Sequence, residues 1–222
     1  MYLRTISKNE EPQMKIFSDR KTRIYFIYTL LILLAWVIQL MTPAGTQCIV
    51  RFGILPHSVS GLPGILFSPF IHSGYAHLLS NTVPLLLMGA AVIYFYSQSS
   101  IRTLLIIYLM SGCLVWIFGR PQAWHIGASG LVYGLGSFLF ISGVIRRDAR
   151  SAGLVLLIVF IYGSMVWGLL PYDLTISYES HISGALSGLL CAVLFRKLDP
   201  PKRYDWEDEK DDDQNGGEEA DY

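Results

Sequence analysis

Residues 127–147 read GASGLVYGLGSFLFISGVIRR, and the fold turns on this stretch. No charged side chain interrupts it from Ser129 to Ile145, and Arg146 and Arg147 close it. A hydrocarbon layer about 30 Å thick takes roughly 17 to 25 helical residues to cross. The run therefore reads as a membrane span stopped by two arginines. Barrel strands would alternate over segments of about ten residues, whereas this run is continuously apolar. Five more runs match it, at approximately 24–41, 77–96, 102–118, 152–170 and 181–195. The last is short for a lipid-facing span, which suits a helix packed inside a bundle. Composition agrees, since 52% of the 222 residues are hydrophobic and only 15% charged, against about 25% charged in soluble domains. The expectation is an all-α membrane protein, a bundle of six transmembrane helices.

Lys and Arg in the short connections set the orientation. Of the 17 basic residues, 15 fall on one side of a six-span chain, including Arg4 to Arg23, Arg146, Arg147, Arg150 and Arg196 to Arg203. Only Arg51 and Arg120 fall opposite, so both termini are expected in the cytoplasm. The chain then divides into a basic segment 1–23, a core 24–196 with a long outer loop 42–76, and a tail 197–222. The first run follows 23 mostly polar residues with no small-residue cleavage site, as a first span does and a removed signal peptide does not. Eleven of the 17 acidic residues lie from Asp199 onward, so the zero net charge is a cancellation between two ends. It carries no nucleic-acid signal, and such a tail reads as disordered. Pro43, Pro56, Pro63 and Pro69 space apolar residues in the outer loop, which predicts short interfacial helices able to act as a lid or gate. Cys48, Cys113 and Cys191 are too few and too scattered for a disulfide framework.

Polar groups at membrane depth are costly and by default mark function. Three places stand out. Ser129 lies between Ala128 and Gly130 at the start of span 4, where free N–H groups of a helix N-terminus could serve an oxyanion; a plain N-cap with small residues for packing is the simpler reading. His181 opens span 6, with Gly184 and Gly188 four apart on one face that admits a neighbouring helix; it also fits a half-wet interfacial histidine. His77 and Asn81 share a face of span 2, as donors to a developing negative charge or as an interhelical contact. Together they supply a serine nucleophile, a base and oxyanion donors at one depth. An imidazole, with an ordinary pKa of about 6.5, is available as a base near pH 7.

In this order on spans 2, 4 and 6, the residues resemble the rhomboid intramembrane serine proteases. The pattern GxSGxxY stands as Gly127, Ser129, Gly130 and Tyr133; HxxGxxxG as His181, Gly184 and Gly188; HxxxN as His77 and Asn81, with His72 upstream. The resemblance implies a Ser–His dyad, with Ser129 as nucleophile and His181 as base and then acid. Tyr133 would stack on His181, doing the orienting that an Asp does in a soluble triad. His77, Asn81 and the Ser129 N–H would form the oxyanion hole, and Gly127 would leave room for the substrate carbonyl. The partners implied are transmembrane protein substrates within the lipid bilayer, cut near their outer ends. No cofactor and no metal is implied. The sequence departs from the family at Ser180, commonly alanine, and lacks the Trp-Arg pair many members carry in the first loop.

Other readings bear weighing. Inactive relatives with the same fold act as membrane binding or trafficking factors, but they usually lack the serine or the histidine. A small transporter would want paired intramembrane carboxylates, which the sequence does not offer; an aspartyl membrane protease would need two membrane aspartates, and Tyr172-Asp173 resembles one half but lies in a loop without a partner. A zinc protease would need H-E-x-x-H, which His72 and His77 do not make. His125, four residues before Ser129, has the option of reaching the site. Hydrolysis needs water, so a hydrophilic cavity should open outward above Ser129, gated by the first loop or by residues 171–180. The compact six-span form points to a multi-pass protein of a bacterial inner membrane, its site opening to the periplasmic or outer side.

Overall fold

The computed structural model describes residues 19–42, 47–147, 149–171 and 177–200. The basic stretch 1–18, residues 172–176 of the 171–180 segment with Tyr172 and Asp173, and the tail from 201 lie outside the described residues.

Long apolar runs become helices because lipid offers no partner for backbone N–H and C=O, which must be satisfied within the segment. Helix α1 spans Arg20–Met41, α3 Tyr75–Phe95, α4 Ser100–Phe118, α5 Ser129–Arg146, α6 Ala149–Tyr162 and α7 Tyr178–Leu194. The outer loop folds into 3₁₀ turns at Gln47–Phe52, Val59–Gly61 and Ser68–Phe70 around a one-turn helix α2, Gly64–Phe67. Among the described residues, five helical stretches are long and apolar enough to cross a membrane: α1, α3, α4, α5 and Ser151–Leu169. At 17 residues α7 falls short of that length, as expected of the last run. The fifth run is not one helix, because α6 ends at Tyr162 and the chain tightens into a 3₁₀ segment, Gly163–Leu169. Gly163, Ser164 and Gly168 are poor α-helix formers, and a 3₁₀ segment inside a span often marks a functional site.

Helix α5 is the centre. Its Val132, Leu135, Phe138 and Leu139 are buried against Ile107 of α4, Met88 and Val92 of α3, and Cys191 and Ala192 of α7. The outward faces are apolar as well: Ile27, Leu30 and Leu33 of α1, Leu105 of α4 and Leu156 and Phe160 of α6 are all exposed. So wide an exposed apolar surface needs an apolar solvent.

The two ends of the bundle are tied by polar contacts. At one end Asp199, beyond α7, accepts hydrogen bonds from Gln98 N at 2.8 Å, Ser99 N at 3.0 Å and Ser99 Oγ at 2.6 Å. The Arg146 guanidinium lies over the Tyr96 ring at the same end. At the other, Arg120 pairs with Glu179 and lies over Tyr178, joining the chain after α4 to the first turn of α7.

Candidate active site

Glycines set the closest approach in the bundle. A Cβ on Gly184 would lie 1.9 Å from the Gly130 carbonyl oxygen, and one on Gly188 2.0 Å from that of Gly134. The backbones of α5 and α7 are therefore in direct contact, which only hydrogen at these positions permits. Ser129 precedes Gly130 by one residue and His181 precedes Gly184 by three, so this contact brings both to one end of the helix pair.

The His181 ring is buried, and the structure fixes it in two ways. It stacks on Tyr133 with centroids 4.0 Å apart and planes 10° from parallel. Its Nδ1 donates to the Gly168 carbonyl at 2.7 Å. A carbonyl can only accept, so the proton of the neutral ring sits on Nδ1 and the lone pair is left on Nε2. Tyr133 is itself anchored, its hydroxyl donating to the Met165 carbonyl at 2.8 Å. Gly168 fills the corner between them: a Cβ there would fall 2.0 Å from the Tyr133 hydroxyl and 3.1 Å from His181 Nδ1. Sequence reasoning missed Gly168 and Met165, because both act through main-chain atoms that leave no side-chain signature.

Ser129 begins α5 and is half-buried. Among the described residues its hydroxyl makes no hydrogen bond to His181. Such bonds are often long or absent without substrate and tighten when it binds. The N–H groups at this helix start are partly spoken for. Gly127 N donates to Ser68 O at 2.9 Å, and Ala128 N to His72 Nε2 at 3.4 Å. The Ser129 and Gly130 N–H groups have no partner among the described residues, which leaves them for a ligand.

Gly127 has φ +101°, a conformation glycine adopts without strain. A Cβ on it would lie 2.8 Å from His77 Nε2 and 3.7 Å from Asn81 Nδ2. His77 and Asn81 thus border the open side of Gly127. Their positions are held by Ser73 Oγ against His77 Nδ1 at 3.1 Å and by Asn81 Nδ2 donating to the His77 carbonyl at 3.2 Å. His72 packs edge-on to His77. Burial, with neighbouring His77, pushes the His72 pKa down to about 4, so His72 is a neutral acceptor for Ala128 N at ordinary pH.

His125 does not bond to Ser129. Its Nδ1 meets Ser177 Oγ at 2.5 Å instead, at the start of α7. Burial lowers its pKa below the ordinary range, opposed in part by Glu179. An apolar cavity of about 380 Å³ lies on the flank between α1, α3, α4 and α5, reaching Asn81 and Ala128. A second space of about 20 Å³, bordered by Ser68, Ser111, Gly127, Gly130 and Ser180, has room for about one water. No cluster of three metal-ligating side chains occurs among the described residues.

Comparison with known proteins bears on this arrangement. The Rhomboid domain family matches residues 60–198. An uncharacterised protein of Mycobacterium tuberculosis is 32% identical over 190 residues, covering 82% of this chain and 76% of its own. One of Mycobacterium leprae is 30% identical over 179 residues, covering 77% and 69%. The rhomboid protease GluP of Bacillus subtilis is 28% identical over 207 residues, which is 86% of this chain and 39% of that longer protein. The domain match covers more than half the chain, including all three polar motifs and both Gly–Gly helix contacts. This integral membrane protein belongs to the rhomboid family.

Proposed function

We propose that the chain is an intramembrane serine endopeptidase that cuts transmembrane segments of other proteins through a Ser129–His181 dyad. The observation that carries this reading is the Nδ1 bond from His181 to the Gly168 carbonyl. It leaves Nε2 as the basic atom, the tautomer a serine nucleophile requires. In the reaction Nε2 takes the Ser129 hydroxyl proton as Oγ attacks the scissile carbonyl carbon. The carbonyl oxygen becomes an oxyanion held by the Ser129 N–H, His77 and Asn81, with Gly127 leaving space beside it. His181 then passes its proton to the leaving amine as the C–N bond breaks. Water, deprotonated by the same Nε2, releases the acyl group and restores Ser129. Gly184 and Gly188 hold the histidine helix against the serine helix, and Tyr133 fixes the ring plane.

The topology we propose has α7 as the sixth span, both termini in the cytoplasm and the site opening to the periplasmic or outer face of a bacterial inner membrane. The 15-to-2 division of basic residues supports it.

A fluorophosphonate probe tests the dyad directly. The wild-type chain should label at Ser129, mapped by mass spectrometry, and His181→Ala should lose the labelling while keeping its helical content. Labelling elsewhere, or undiminished in the variant, contradicts the assignment.

A further inference from the structure

The loop between α4 and α5 does more than deliver the chain to Ser129. Its His125 is buried, at 2% exposure, and paired in the main chain with Ile54 of the first loop: His125 N donates to Ile54 O at 2.8 Å and Ile54 N to His125 O at 2.9 Å. On the side-chain face Nδ1 meets Ser177 Oγ at 2.5 Å, and Ser177 Oγ meets Ser180 Oγ at 2.7 Å. Ser177 is the N-cap of α7, yet its hydroxyl makes no cap hydrogen bond. An N-cap serine normally gives that hydroxyl to the helix, worth about 1 kcal/mol. Here it is turned to His125 and Ser180. Ser180 stands immediately before His181, and its carbonyl oxygen would lie 3.2 Å from a Cβ on Gly130, the residue after Ser129. The chain His125–Ser177–Ser180 therefore connects the loop leading into Ser129 with the helical turn that carries His181. The Arg120–Glu179 pair ties the same loop to the same turn.

From this connection we infer that His125 is a positioning residue: it sets the separation between Ser129 Oγ and His181 Nε2 by holding the first turn of α7 against the start of α5. The inference rests on the dyad reading. His125 touches neither reacting atom and acts through Ser177 and Ser180. A buried ring whose Nδ1 meets a serine hydroxyl suits a hydrogen-bonding part, and Asn should serve in its place because its amide nitrogen falls near the position of Nδ1. Ser180, bonded to Ser177 Oγ, belongs to this device.

The full-length chain in detergent gives the test, read as cleavage of a single-span substrate and as the rate of fluorophosphonate labelling at Ser129. A displacement of about 1 Å can cost on the order of 100-fold in rate. His125→Phe should lower kcat and the labelling rate by about 10- to 100-fold with KM nearly unchanged. His125→Asn should recover most of the loss. Ser177→Ala should fall in the same direction, and the Phe–Ala double variant should be no slower than the worse single one, because both cut the same link. If His125→Phe does not fold, Ser177→Ala carries the test alone. Full kcat and labelling rate in folded His125→Phe or Ser177→Ala overturn the inference, whatever happens to Tm, and leave the dyad standing. A wild-type chain that neither labels nor cleaves overturns the dyad, and the positioning role with it.

Discussion

Gly168 touches both of the side chains on which the proposed chemistry depends. Its carbonyl holds His181 Nδ1, and its missing side chain makes room for the Tyr133 hydroxyl. Gly168→Ala would place a methyl 2.0 Å from that hydroxyl, so the tyrosine must leave its Met165 partner or the 3₁₀ segment must shift. Either tilts the imidazole. The expected result is a fall in single-turnover cleavage of about 10- to 100-fold, and an unchanged rate would remove Gly168 from the site. His72 gives a pH prediction at the same scale. Its pKa of about 4 in the folded chain lies below the ordinary 6.5. The unfolded chain therefore binds the extra proton first, and stability falls as pH drops from about 6.5 toward 4. For this one group the loss approaches about 3 kcal/mol at the acid end. Thermal unfolding in detergent between pH 7 and 4.5 should show the decline. His72→Gln, which keeps an acceptor for Ala128 N and cannot titrate, should flatten it, and an equal slope in the two proteins would contradict the assignment.

Among the elements, the pair α5–α7 matters most, and its closeness was legible in the sequence. Gly184 and Gly188, spaced at four, announce a face that lets backbone approach backbone. The partner glycines, Gly130 and Gly134, repeat that spacing on α5. Gly184→Ala puts a methyl against the Gly130 carbonyl at 1.9 Å, backbone that cannot swing aside. It should cost about 1 to 3 kcal/mol, seen as a lower Tm. Gly153→Ala on α6, where a Cβ meets nothing within 4 Å, is the control and should hold or raise Tm. Equal Tm values in the two variants would contradict the packing. Other parts of the elements were not legible. The apolar run 152–170 has the composition of one helix, and nothing in hydropathy separates α6 from its 3₁₀ continuation. The use of Gly168 depends on that local tightening. His125 and Ser177 are 52 residues apart, and no periodicity connects a loop histidine to the cap of a distant helix.

For the whole molecule, the bundle was readable because hydropathy and charge asymmetry are properties of long stretches. The candidate site was readable because serine, histidine and asparagine are conspicuous among apolar neighbours. Asp199 shows the limit: by composition it belongs to an acidic tail, yet it is buried and accepts three hydrogen bonds from Gln98 and Ser99, closing the end of the bundle opposite Ser129. Composition averages over a window, and one aspartate fitted to a helix start is invisible in it. Two polar ends, one closed by Asp199 and the other carrying Ser129 and His181, with a lipid-facing wall between them, suit a protease that meets its substrate inside a membrane. The direct test is cleavage of a single-span membrane protein in liposomes by the wild-type chain and by Ser129→Ala prepared side by side. Cleavage by the wild type and none by Ser129→Ala is the predicted result. Cleavage at the same rate by both would mean that Ser129 is not the nucleophile.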